Sequence, residues 1–510
     1  MAETTQTLNA IQHAVAEIKI DPSRISSEID PKIYSGFVEH LGRCVYNGGL
    51  VDFDNKTAGL TNEKGYRLDV ADALKQLDMP VVRYPGGNFV SAYHWMDGVG
   101  PKEDRPRRPE LAWLTEESNQ FGTDEFMEWC EFMNVEPYMC LNMGTGSLDE
   151  ALAWLEYCNS DANTYYANLR RKNGHEKPYN VKYWGLGNEV YGEWQVGSMT
   201  AEDYCIKAGQ WARALKLLDP NIKLVSCGQT GVDNWDHTVT KELIPYIDFH
   251  SIHTYTYHKD YYTNVFQPLA AERAIQITSK LLELAKITRN VPNSKATIAF
   301  DEWNVWDMVG SGQEVGLEQA YDFSDAIAVA TWLHVFVRQS RHVGMANLAQ
   351  CVNAIAPIVT NKNGMFLQTI YHPFKLFSQH MRGKTLALHI ASPVHEGSLG
   401  DKGGSFSWLN GIQPDFPYLQ TSATVNGKLV TVAVTNVSLD HAIKTEIRLD
   451  GKYESKIKRW TLYNDDIRAK NSFDKPEEVK VSESIETIES NTPSFTFKKH
   501  SFNLLQFKLE

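Results

Sequence analysis

The sequence lacks several features that define common classes of protein. It contains no run of about 18 apolar residues, so no membrane-spanning helix is expected. Acidic residues exceed basic ones by 63 to 50, giving a net charge of −13, so a nucleic-acid partner, which needs a basic face, is not expected. No glycine-rich phosphate-binding turn follows the first predicted strand, which argues against a doubly wound nucleotide-binding sheet. Such a composition is compatible with neutral sugar polymers as partners but does not by itself indicate them.

Metal-binding and disulfide patterns are also missing. The seven cysteines are an odd number, and none has CxxC or zinc-site spacing. Cys140 and Cys227 lie inside strand-like runs, so buried free thiols are predicted. The histidines His250, His253 and His258 form no HExxH-type pattern, and we expect no metal site there.

Two features bear on the cellular location. Free thiols favour a reducing compartment. The first 20 residues have neither the basic start nor the apolar stretch of a signal peptide. A cytoplasmic protein is therefore expected, and secretion stays open because removal of a signal peptide would leave the same sequence.

Between residues 30 and 385 the chain alternates short apolar runs with helical patterns. The predicted strands are residues 33–37, 80–83, 137–141, 181–184, 224–227, 249–252, 297–300 and 344–348. The predicted helices include residues 68–77, 124–133, 148–157, 201–218, 271–287 and 321–340. About eight strand–helix units predict an α/β fold, namely a (β/α)8 TIM barrel over residues 31–385.

Past residue 385 the helical periodicity disappears and β patterns replace it. Residues 430–435 and 494–497 alternate in polarity, and Asn426-Gly427 and Asp450-Gly451 are hairpin-turn signals. Residues 386–510 are therefore predicted to form a C-terminal antiparallel β-sandwich. A strand-like stretch at residues 18–20, in the N-terminal segment 1–30, is predicted to join that sandwich.

Two glutamates follow predicted barrel strands, where barrels of this type place their catalytic residues. Glu189 ends the run WGLGNE after the fourth strand, and Glu302 follows the seventh strand, 113 positions later. The fourth and seventh strands lie nearly opposite each other across a narrow barrel. Glycoside hydrolysis requires such a pair, about 5–5.5 Å apart for retention and about 6.5–9.5 Å for inversion of the anomeric configuration. The sequence leaves this distance open.

The environment of each glutamate is expected to set its role. A general acid needs a pKa raised by burial or by a neighbouring negative charge. The nucleophile needs cationic or hydrogen-bonding neighbours, for which Arg83 and Tyr255 are candidates. Asn188 is placed to bind a sugar hydroxyl beside the reacting carbon.

Longer stretches around these residues resemble glycoside hydrolase family 51, the α-L-arabinofuranosidases. The matching stretches are GFVEHLGR (36–43), RYPGGNF (83–89), WGLGNEVYG (184–192), DEWN (301–304) and MANLAQ (345–350). The resemblance covers the barrel and, in layout, the β-domain that follows it.

The resemblance implies a retaining exo-enzyme that removes terminal α-L-arabinofuranosyl groups from arabinoxylan, arabinan and their oligosaccharides, without a metal or organic cofactor. Glu189 matches the acid/base and Glu302 the nucleophile. Residues matching the family's hydroxyl-binding positions are Glu39, Asn88, Asn188, Tyr255 and Gln350. Residues matching supporting or leaving-group-side positions are Arg83, His253, Trp113 and Trp306. A homo-oligomer is compatible with the resemblance, because family members are often oligomers.

Two other functions stay open on the sequence alone. One is another retaining barrel glycosidase, such as a xylosidase or an endoglucanase. The other is a non-catalytic carbohydrate-binding protein, against which the presence of both glutamates argues.

Residues 92–113 and 303–319 form long insertions at the predicted rim. The first insertion contains Trp95, Arg105, Arg107 and Arg108. It is interpreted either as a solvated loop or as a wall that faces the polymer.

Overall fold

A computed structural model describes residues 15–54, 59–400, 406–413, 415–488, 490 and 492–510. Residues 1–14 of the predicted N-terminal segment therefore lie outside the described residues. The strands, in chain order, are β1 (Val15–Glu28), β2 (Ser35–Phe37), β3 (Val81–Tyr84), β4 (Arg108–Glu110), β5 (Thr115–Glu117), β6 (Glu136–Cys140), β7 (Tyr183–Leu186), β8 (Lys223–Ser226), β9 (Phe249–Thr256), β10 (Thr297–Val305), β11 (Val343–Ala349), β12 (Ile358–Asn361), β13 (Gly364–Leu367), β14 (Lys384–Ala391), β15 (Leu419–Asn426), β16 (Leu429–Asn436), β17 (Ile443–Leu449), β18 (Lys456–Leu462), β19 (Val481–Thr487), β20 (Ser494–Phe497) and β21 (Ser501–Lys508).

The α-helices in the described ranges are Leu68–Gln76, Thr123–Met133, Leu148–Asn159, Tyr165–Lys172, Ala201–Leu218, Asn234–Leu243, Tyr261–Phe266, Pro268–Thr288, Phe323–Arg338, Tyr371–His380 and Leu409–Ile412. The 3-10 helices are Pro31–Tyr34, Asn88–Ala92, Trp95–Gly98, Lys102–Asp104 and Gln313–Val315. Over the residues that the structure describes, no helix is both long and apolar enough to cross a bilayer.

The predicted barrel is confirmed. Eight parallel strands close in the order β10-β11-β2-β3-β6-β7-β8-β9. Each of the eight predicted strand regions overlaps one of them. Inward-pointing side chains fill the barrel: Val81, Tyr138, Tyr183, Val225, Phe249, Ala299 and Met345. Because the interior is packed, only the side chains at the strand ends are available for chemistry.

The first barrel strand begins later than the sequence predicted. Residues Pro31–Tyr34 form a 3-10 turn, and β2 starts at Ser35. Pro31 suits the first turn of a helix because it has no N–H to leave unpaired. The Asp30 side chain accepts a hydrogen bond from the backbone N–H of Lys32 at 3.1 Å, which stabilises the turn.

The C-terminal strands form one nine-stranded sheet in the order β19-β18-β21-β16-β15-β14-β1-β17-β20. β1 lies between β14 and β17 and runs parallel to β17, with Ile18 opposite Ile447. This parallel pair departs from the predicted all-antiparallel arrangement, because β1 comes from the start of the chain and not from a hairpin neighbour. Phe495 of β20 and Phe507 of β21 lie 6.4 Å apart although they are far apart in strand order. The sheet therefore folds over itself to enclose a core, as in a sandwich.

The helix Phe323–Arg338 packs between the barrel and the C-terminal sheet. Every residue from Phe323 to Val337 is buried, as expected for a helix that is apolar on all sides. On one side Trp332 contacts Phe300 of β10, with ring centroids 5.4 Å apart. On the other side His334 reaches the sheet: its Nδ1 lies 2.8 Å from Ser422 Oγ and its Nε2 lies 2.9 Å from Thr435 Oγ1. Burial lowers the pKa of His334 well below its usual value, so the ring is neutral.

His334→Ala should lower the free energy of unfolding by about 2–4 kcal/mol at pH 7, because two buried hydroxyl groups lose their partner and a cavity opens. The measurement is the midpoint of urea unfolding. His389→Ala, at an exposed position on β14, is the matched control and should shift the midpoint little. Equal shifts in the two variants would contradict a role for His334 in joining the domains.

Candidate active site

A pocket of about 420 Å³ opens at the carboxyl ends of the barrel strands. Its lining residues are Glu39, Leu41, Gly87, Asn88, Ala112, Trp113, Glu189, Trp194, Tyr255, Glu302, Trp306, Met308, Leu317, Gln350 and Ile355. One part of the wall is polar and the other is apolar. This combination is typical of sites that orient a small polar ligand within an apolar enclosure.

Glu302 on β10 is held from two sides. Arg83 of β3 donates from Nη1 to Glu302 Oε1 at 2.6 Å, and Tyr255 of β9 donates its hydroxyl to Glu302 Oε2 at 2.7 Å. The pairing of β10 with β9 shifts register between Ala299 and Glu302. Such a bulge turns consecutive side chains toward the same side. Both Glu302 and its neighbour Asp301 consequently contact Arg83 inside the barrel.

Glu189 lies just past β7 with its backbone in the left-handed region, at a φ of 46°. That conformation is uncommon for a residue other than glycine and is often found at functional sites. Two N–H groups and one hydroxyl surround the carboxyl group. His253 Nδ1 lies 2.9 Å from Oε1, Trp194 donates from Nε1 to Oε2 at 3.2 Å, and Tyr191 donates its hydroxyl to Oε1 at 3.3 Å.

The two glutamates approach each other closely. A carboxylate oxygen of Glu189, a carboxylate oxygen of Glu302 and a ring nitrogen of His253 all lie within 4.8 Å of one another. The carboxyl groups are thus nearer to the spacing of about 5–5.5 Å than to that of about 6.5–9.5 Å in glycosidases.

His253 lies between the carboxyl groups of the site. Its Nδ1 contacts Glu189, and its Nε2 lies 3.2 Å from Asp301 Oδ1. Burial opposes protonation of the ring, but the negative charges of Glu302, Asp301 and Glu189 outweigh burial and raise the pKa of His253 to about 10.

The pKa of Glu189 differs from the sequence-based expectation of a raised value. Burial of the carboxyl group raises it, but the hydrogen bond and charge of His253 overcome burial, so the pKa of Glu189 is lowered. The proton that the pair shares is therefore held on the imidazole when the pocket contains no sugar.

A third carboxyl group, that of Glu39, lies after β2 on the polar wall. It accepts hydrogen bonds from the backbone N–H of Phe89 at 3.0 Å, from Trp113 Nε1 at 3.1 Å and from Gln350 Nε2 at 3.2 Å. Burial and the nearby charge of Glu302 nevertheless raise the pKa of Glu39 to about 8.

Two asparagines complete the polar wall. Asn188 accepts a hydrogen bond from Arg83 Nη2 at 2.5 Å through its Oδ1. Its amide nitrogen points toward Asn88 Oδ1, 3.5 Å away. Arg83 therefore orients Asn188 and Glu302 together, and does so from a buried position.

The structure brings all the sequence-predicted site residues to one place. Eight of them line the pocket, namely Glu39, Asn88, Trp113, Glu189, Tyr255, Glu302, Trp306 and Gln350. Arg83, Asn188 and His253 lie behind them in contact with the two central glutamates or with each other. Trp306 packs edge to face on Tyr255, with ring centroids 5.2 Å apart.

Sequence reasoning missed several contributors. Tyr191 and Trp194 follow Glu189 in the same loop and donate hydrogen bonds to its carboxylate. Their closeness in sequence to a glutamate at a strand end could have identified them as site residues. Asp301 was read only as part of the DEWN stretch. The apolar wall residues Met308 and Leu317 come from the second insertion, whose sequence carries no comparable signal.

The first insertion is partly buried and partly exposed, and its last two residues, Ala112 and Trp113, line the pocket. Trp95 is buried, and Arg105 is buried with both outer nitrogens bonded to Glu125. Arg107 and Arg108 are exposed, but they pair with Glu116 and Asp97.

The convergence of Glu189, His253 and Glu302 also has the composition of a metal site. Their donor atoms are already engaged, however. Arg83 and Tyr255 bind the two oxygens of Glu302, and both ring nitrogens of His253 contact carboxylates. This arrangement favours a hydrogen-bonded proton network.

Two family models match the chain. The α-L-arabinofuranosidase 1 domain matches residues 73–272, and the α-L-arabinofuranosidase C-terminal domain matches residues 301–501. A probable α-L-arabinofuranosidase C of Aspergillus flavus is 52% identical over 506 residues, covering 96% of this chain and 97% of the relative. An intracellular exo-α-(1→5)-L-arabinofuranosidase 1 of Bacillus subtilis is 35% identical, covering 97% of this chain and 99% of the relative.

A solved structure supports the same assignment. The thermostable glycoside hydrolase family 51 α-L-arabinofuranosidase of Thermotoga petrophila superposes with a TM-score of 0.86 at 40% identity, covering 96% of this chain and 99% of that chain. The resemblance seen in the sequence is thus confirmed. The chain belongs to glycoside hydrolase family 51 and is an α-L-arabinofuranosidase.

Proposed function

We propose that the protein is an exo-acting α-L-arabinofuranosidase that cleaves terminal α-L-arabinofuranosyl groups by double displacement, with retention of configuration. The observation that carries this proposal is the approach of Glu189 and Glu302 to within 4.8 Å between oxygens. At that separation no water molecule fits between sugar and carboxylate for direct displacement, and the carboxylate itself attacks.

Glu302 acts as the nucleophile. Its oxygens accept from Arg83 and Tyr255, which fix the carboxylate at the side of the sugar and balance its charge. Attack by a carboxylate oxygen on the anomeric carbon forms a glycosyl-enzyme ester as the glycosidic bond breaks.

Glu189 acts as the acid and then as the base. Sugar binding displaces water from the pocket and disfavours the charged pair of Glu189 and His253, so the proton moves from Nδ1 across the 2.9 Å contact to the carboxylate. Glu189 then protonates the leaving oxygen. In the second step it takes a proton from the water that cleaves the ester.

The polar wall binds the hydroxyl groups of the arabinosyl ring. Glu39, Asn88 and Gln350 offer acceptors and donors on one side of the pocket. Asn188, oriented by Arg83, lies next to Glu189 and suits the hydroxyl adjacent to the anomeric carbon. A pocket of about 420 Å³ at the end of the barrel supports release of one terminal sugar at a time.

The substrates are arabinose-containing polysaccharides and oligosaccharides such as arabinan and arabinoxylan, and the site of action is the cytoplasm. The name of the Bacillus subtilis relative, an intracellular exo-α-(1→5)-L-arabinofuranosidase, supports an α-L-arabinofuranosyl substrate and an intracellular site of action. All seven cysteines are buried free thiols, which also supports a reducing compartment. A homo-oligomeric state stays a prediction.

Hydrolysis of nitrophenyl α-L-arabinofuranoside should release the α-anomer of arabinose first, because two displacements at one carbon restore its configuration. Proton NMR recorded in the first minutes, before mutarotation, identifies the product. First appearance of the β-anomer would contradict double displacement. Faster cleavage of the nitrophenyl β-xyloside than of the arabinofuranoside would favour a xylosidase instead.

Glu302→Ala should lower kcat by on the order of 10⁴-fold, because it removes the carboxylate that forms the glycosyl-enzyme ester. Glu189→Ala should lower it by about 10²- to 10⁴-fold. Azide should partly restore the activity of Glu189→Ala on nitrophenyl arabinofuranoside, since that leaving group needs no proton. Steady-state kinetics check all three results.

The control for these variants is Glu193→Ala, an exposed glutamate in the same loop as Glu189, which should retain activity. If both Glu302→Ala and Glu189→Ala retained wild-type turnover, the protein would be a carbohydrate-binding protein or would use other residues.

Glu39→Gln should stabilise the fold at pH 8 and change it little at pH 5. The folded protein keeps a proton on Glu39 up to a pH of about 8, whereas the unfolded chain releases it near pH 4.5. Wild-type stability therefore falls as the pH rises through this window, and the glutamine variant does not share that loss. The gain at pH 8 should be about 1–3 kcal/mol in urea unfolding.

Glu193→Gln is the control for the same measurement, because its side chain is exposed. Parallel pH dependence in the Glu39→Gln variant and the wild type would show that Glu39 titrates normally.

A further inference from the structure

A buried aspartate beneath the catalytic pair, Asp301, takes no direct part in the proposed reaction. It precedes Glu302 on β10, is 1% exposed and does not line the catalytic pocket. The bulge that brings Glu302 to the pocket turns the Asp301 side chain toward the inside of the barrel as well. A buried carboxylate costs free energy unless its partners compensate its charge, so the identity of those partners bears on its role.

Both carboxylate oxygens of Asp301 have partners. Oδ1 accepts a hydrogen bond from the Ser251 hydroxyl and lies 3.2 Å from His253 Nε2. Oδ2 accepts from the Tyr138 hydroxyl at 2.7 Å and lies 3.7 Å from Arg83 Nε. Burial of the carboxyl group opposes ionisation, but the charge of Arg83 and the hydrogen bond from His253 outweigh burial and lower the pKa of Asp301. Asp301 is therefore a negative charge between a guanidinium group and an imidazole ring.

The His253 ring has a carboxylate at each nitrogen, and only one of the two carboxylates reaches the pocket. Nδ1 lies 2.9 Å from Glu189, which lines the pocket, whereas Nε2 faces Asp301, which does not. A proton can therefore pass from the ring toward a bound sugar only from Nδ1, through Glu189. The other charged or ionisable side chains near the ring are Glu302, whose Oε1 lies 3.7 Å from Nδ1, Arg83, which contacts both β10 carboxylates, and Tyr255 of β9.

Asp301 determines which ring nitrogen keeps its proton when His253 becomes neutral. A carboxylate can only accept hydrogen bonds, so Nε2 stays protonated beside Asp301. The proton that leaves is then the one on Nδ1, which passes to Glu189 and from there to the leaving oxygen. In the second step Glu189 takes a proton from the attacking water and returns it to Nδ1, which restores the charged ring. The buried aspartate of a Ser-His-Asp triad orients its histidine in the same way.

We infer that Asp301 is a positioning residue that fixes the orientation, tautomer and charge of His253 and thereby keeps a proton available to Glu189. This inference rests on the proposed function, because only a reaction with proton transfer through Glu189 uses the pair. Asp301 should consequently matter for substrates whose leaving group needs a proton, and matter little for those whose leaving group does not.

Asp301→Asn removes the charge and keeps the size of the side chain. The probes are an α-(1→5)-linked arabino-oligosaccharide, whose alcohol leaving group needs a proton, and nitrophenyl α-L-arabinofuranoside, whose leaving group does not. For the oligosaccharide, kcat/KM at pH 7 should fall about 10²-fold, because general acid catalysis is weakened. For the nitrophenyl substrate, kcat/KM should stay near the wild-type value.

The pH profile of the oligosaccharide reaction gives a second reading. A negative charge beside Nε2 favours the protonated pair of His253 and Glu189, so its removal lets the pair lose the proton at lower pH. The basic limb of kcat/KM should therefore move to lower pH in Asp301→Asn. Ser251→Ala should move it to higher pH, because it removes the hydroxyl that competes with His253 for Asp301 Oδ1. The Ser251→Ala profile alone decides the matter if Asp301→Asn does not fold.

NMR of the histidine rings reports on His253 directly. Two-bond proton–nitrogen correlation spectra distinguish the charged ring from its two neutral tautomers, and the spectrum of His253→Gln assigns the signal. In Asp301→Asn the His253 ring should lose its charge at lower pH than in the wild type. Destabilisation of the fold alone would not move this titration.

Asp124→Asn is the matched control. Asp124 is also a buried aspartate that accepts hydrogen bonds from tyrosines, here Tyr157 and Tyr179, and it does not line the catalytic pocket. This variant should be less stable in urea unfolding, while both substrates and the basic limb of the pH profile should behave as in the wild type.

Any of three results for Asp301→Asn would overturn the inference: equal losses on the two substrates, no loss on the oligosaccharide, or a basic limb and a His253 titration at their wild-type positions. A wild-type protein that cleaves neither substrate, or that releases the β-anomer first, would instead contradict the proposed function. The two failures are distinguishable because the first is a difference between variant and wild type and the second is a property of the wild type.

Discussion

Mutual repulsion between buried carboxyl groups is the constraint on which the site depends. Glu189, Glu302 and Glu39 surround one small pocket, where negative charges so close together repel one another. Arg83 and the protonated ring of His253 balance the charges of Glu302 and Glu189. Burial and the negative charge of Glu302 raise the pKa of Glu39 to about 8, and the more distant charge of Arg83 offsets this only in part. The positions of Arg83 and His253 thus determine which of these carboxyl groups carry a negative charge when the sugar binds.

The barrel delivers these groups to one place from distant parts of the chain. Parallel strands end at the same face, so residues of β3, β7, β9 and β10 meet although the sequence separates them widely. The bulge in β10 turns both Asp301 and Glu302 toward the inside of the barrel. Asp301 contacts the Nε2 atom of His253, the ring nitrogen that does not face Glu189. Behind β10 the buried helix Phe323–Arg338 links the barrel to the C-terminal sheet. Through this helix the C-terminal sheet supports β10, the strand that carries Glu302.

The barrel and the residues at its strand ends could be predicted from the sequence, because apolar strand runs and family motifs are short, local patterns. The eight strands, the pair Glu189 and Glu302, and the polar wall all follow from runs of fewer than ten residues. What depends on side-chain packing could not be predicted. The direction of the pKa shift of Glu189 was wrong in the sequence reading, since it depends on the contact with His253 from another strand. The parallel pairing of β1 with β17 and the burial of Arg105 likewise depend on contacts distant in sequence.

The central claim is that Glu302 forms the covalent bond to the sugar while Glu189 moves the proton. The most direct test is to trap the glycosyl-enzyme on the Glu189→Ala variant with nitrophenyl α-L-arabinofuranoside, digest it and sequence the labelled peptide by mass spectrometry. The account predicts one pentosyl group, attached at Glu302, that azide removes. A label on another residue, or turnover of the variant with no covalent adduct at any time, would contradict it.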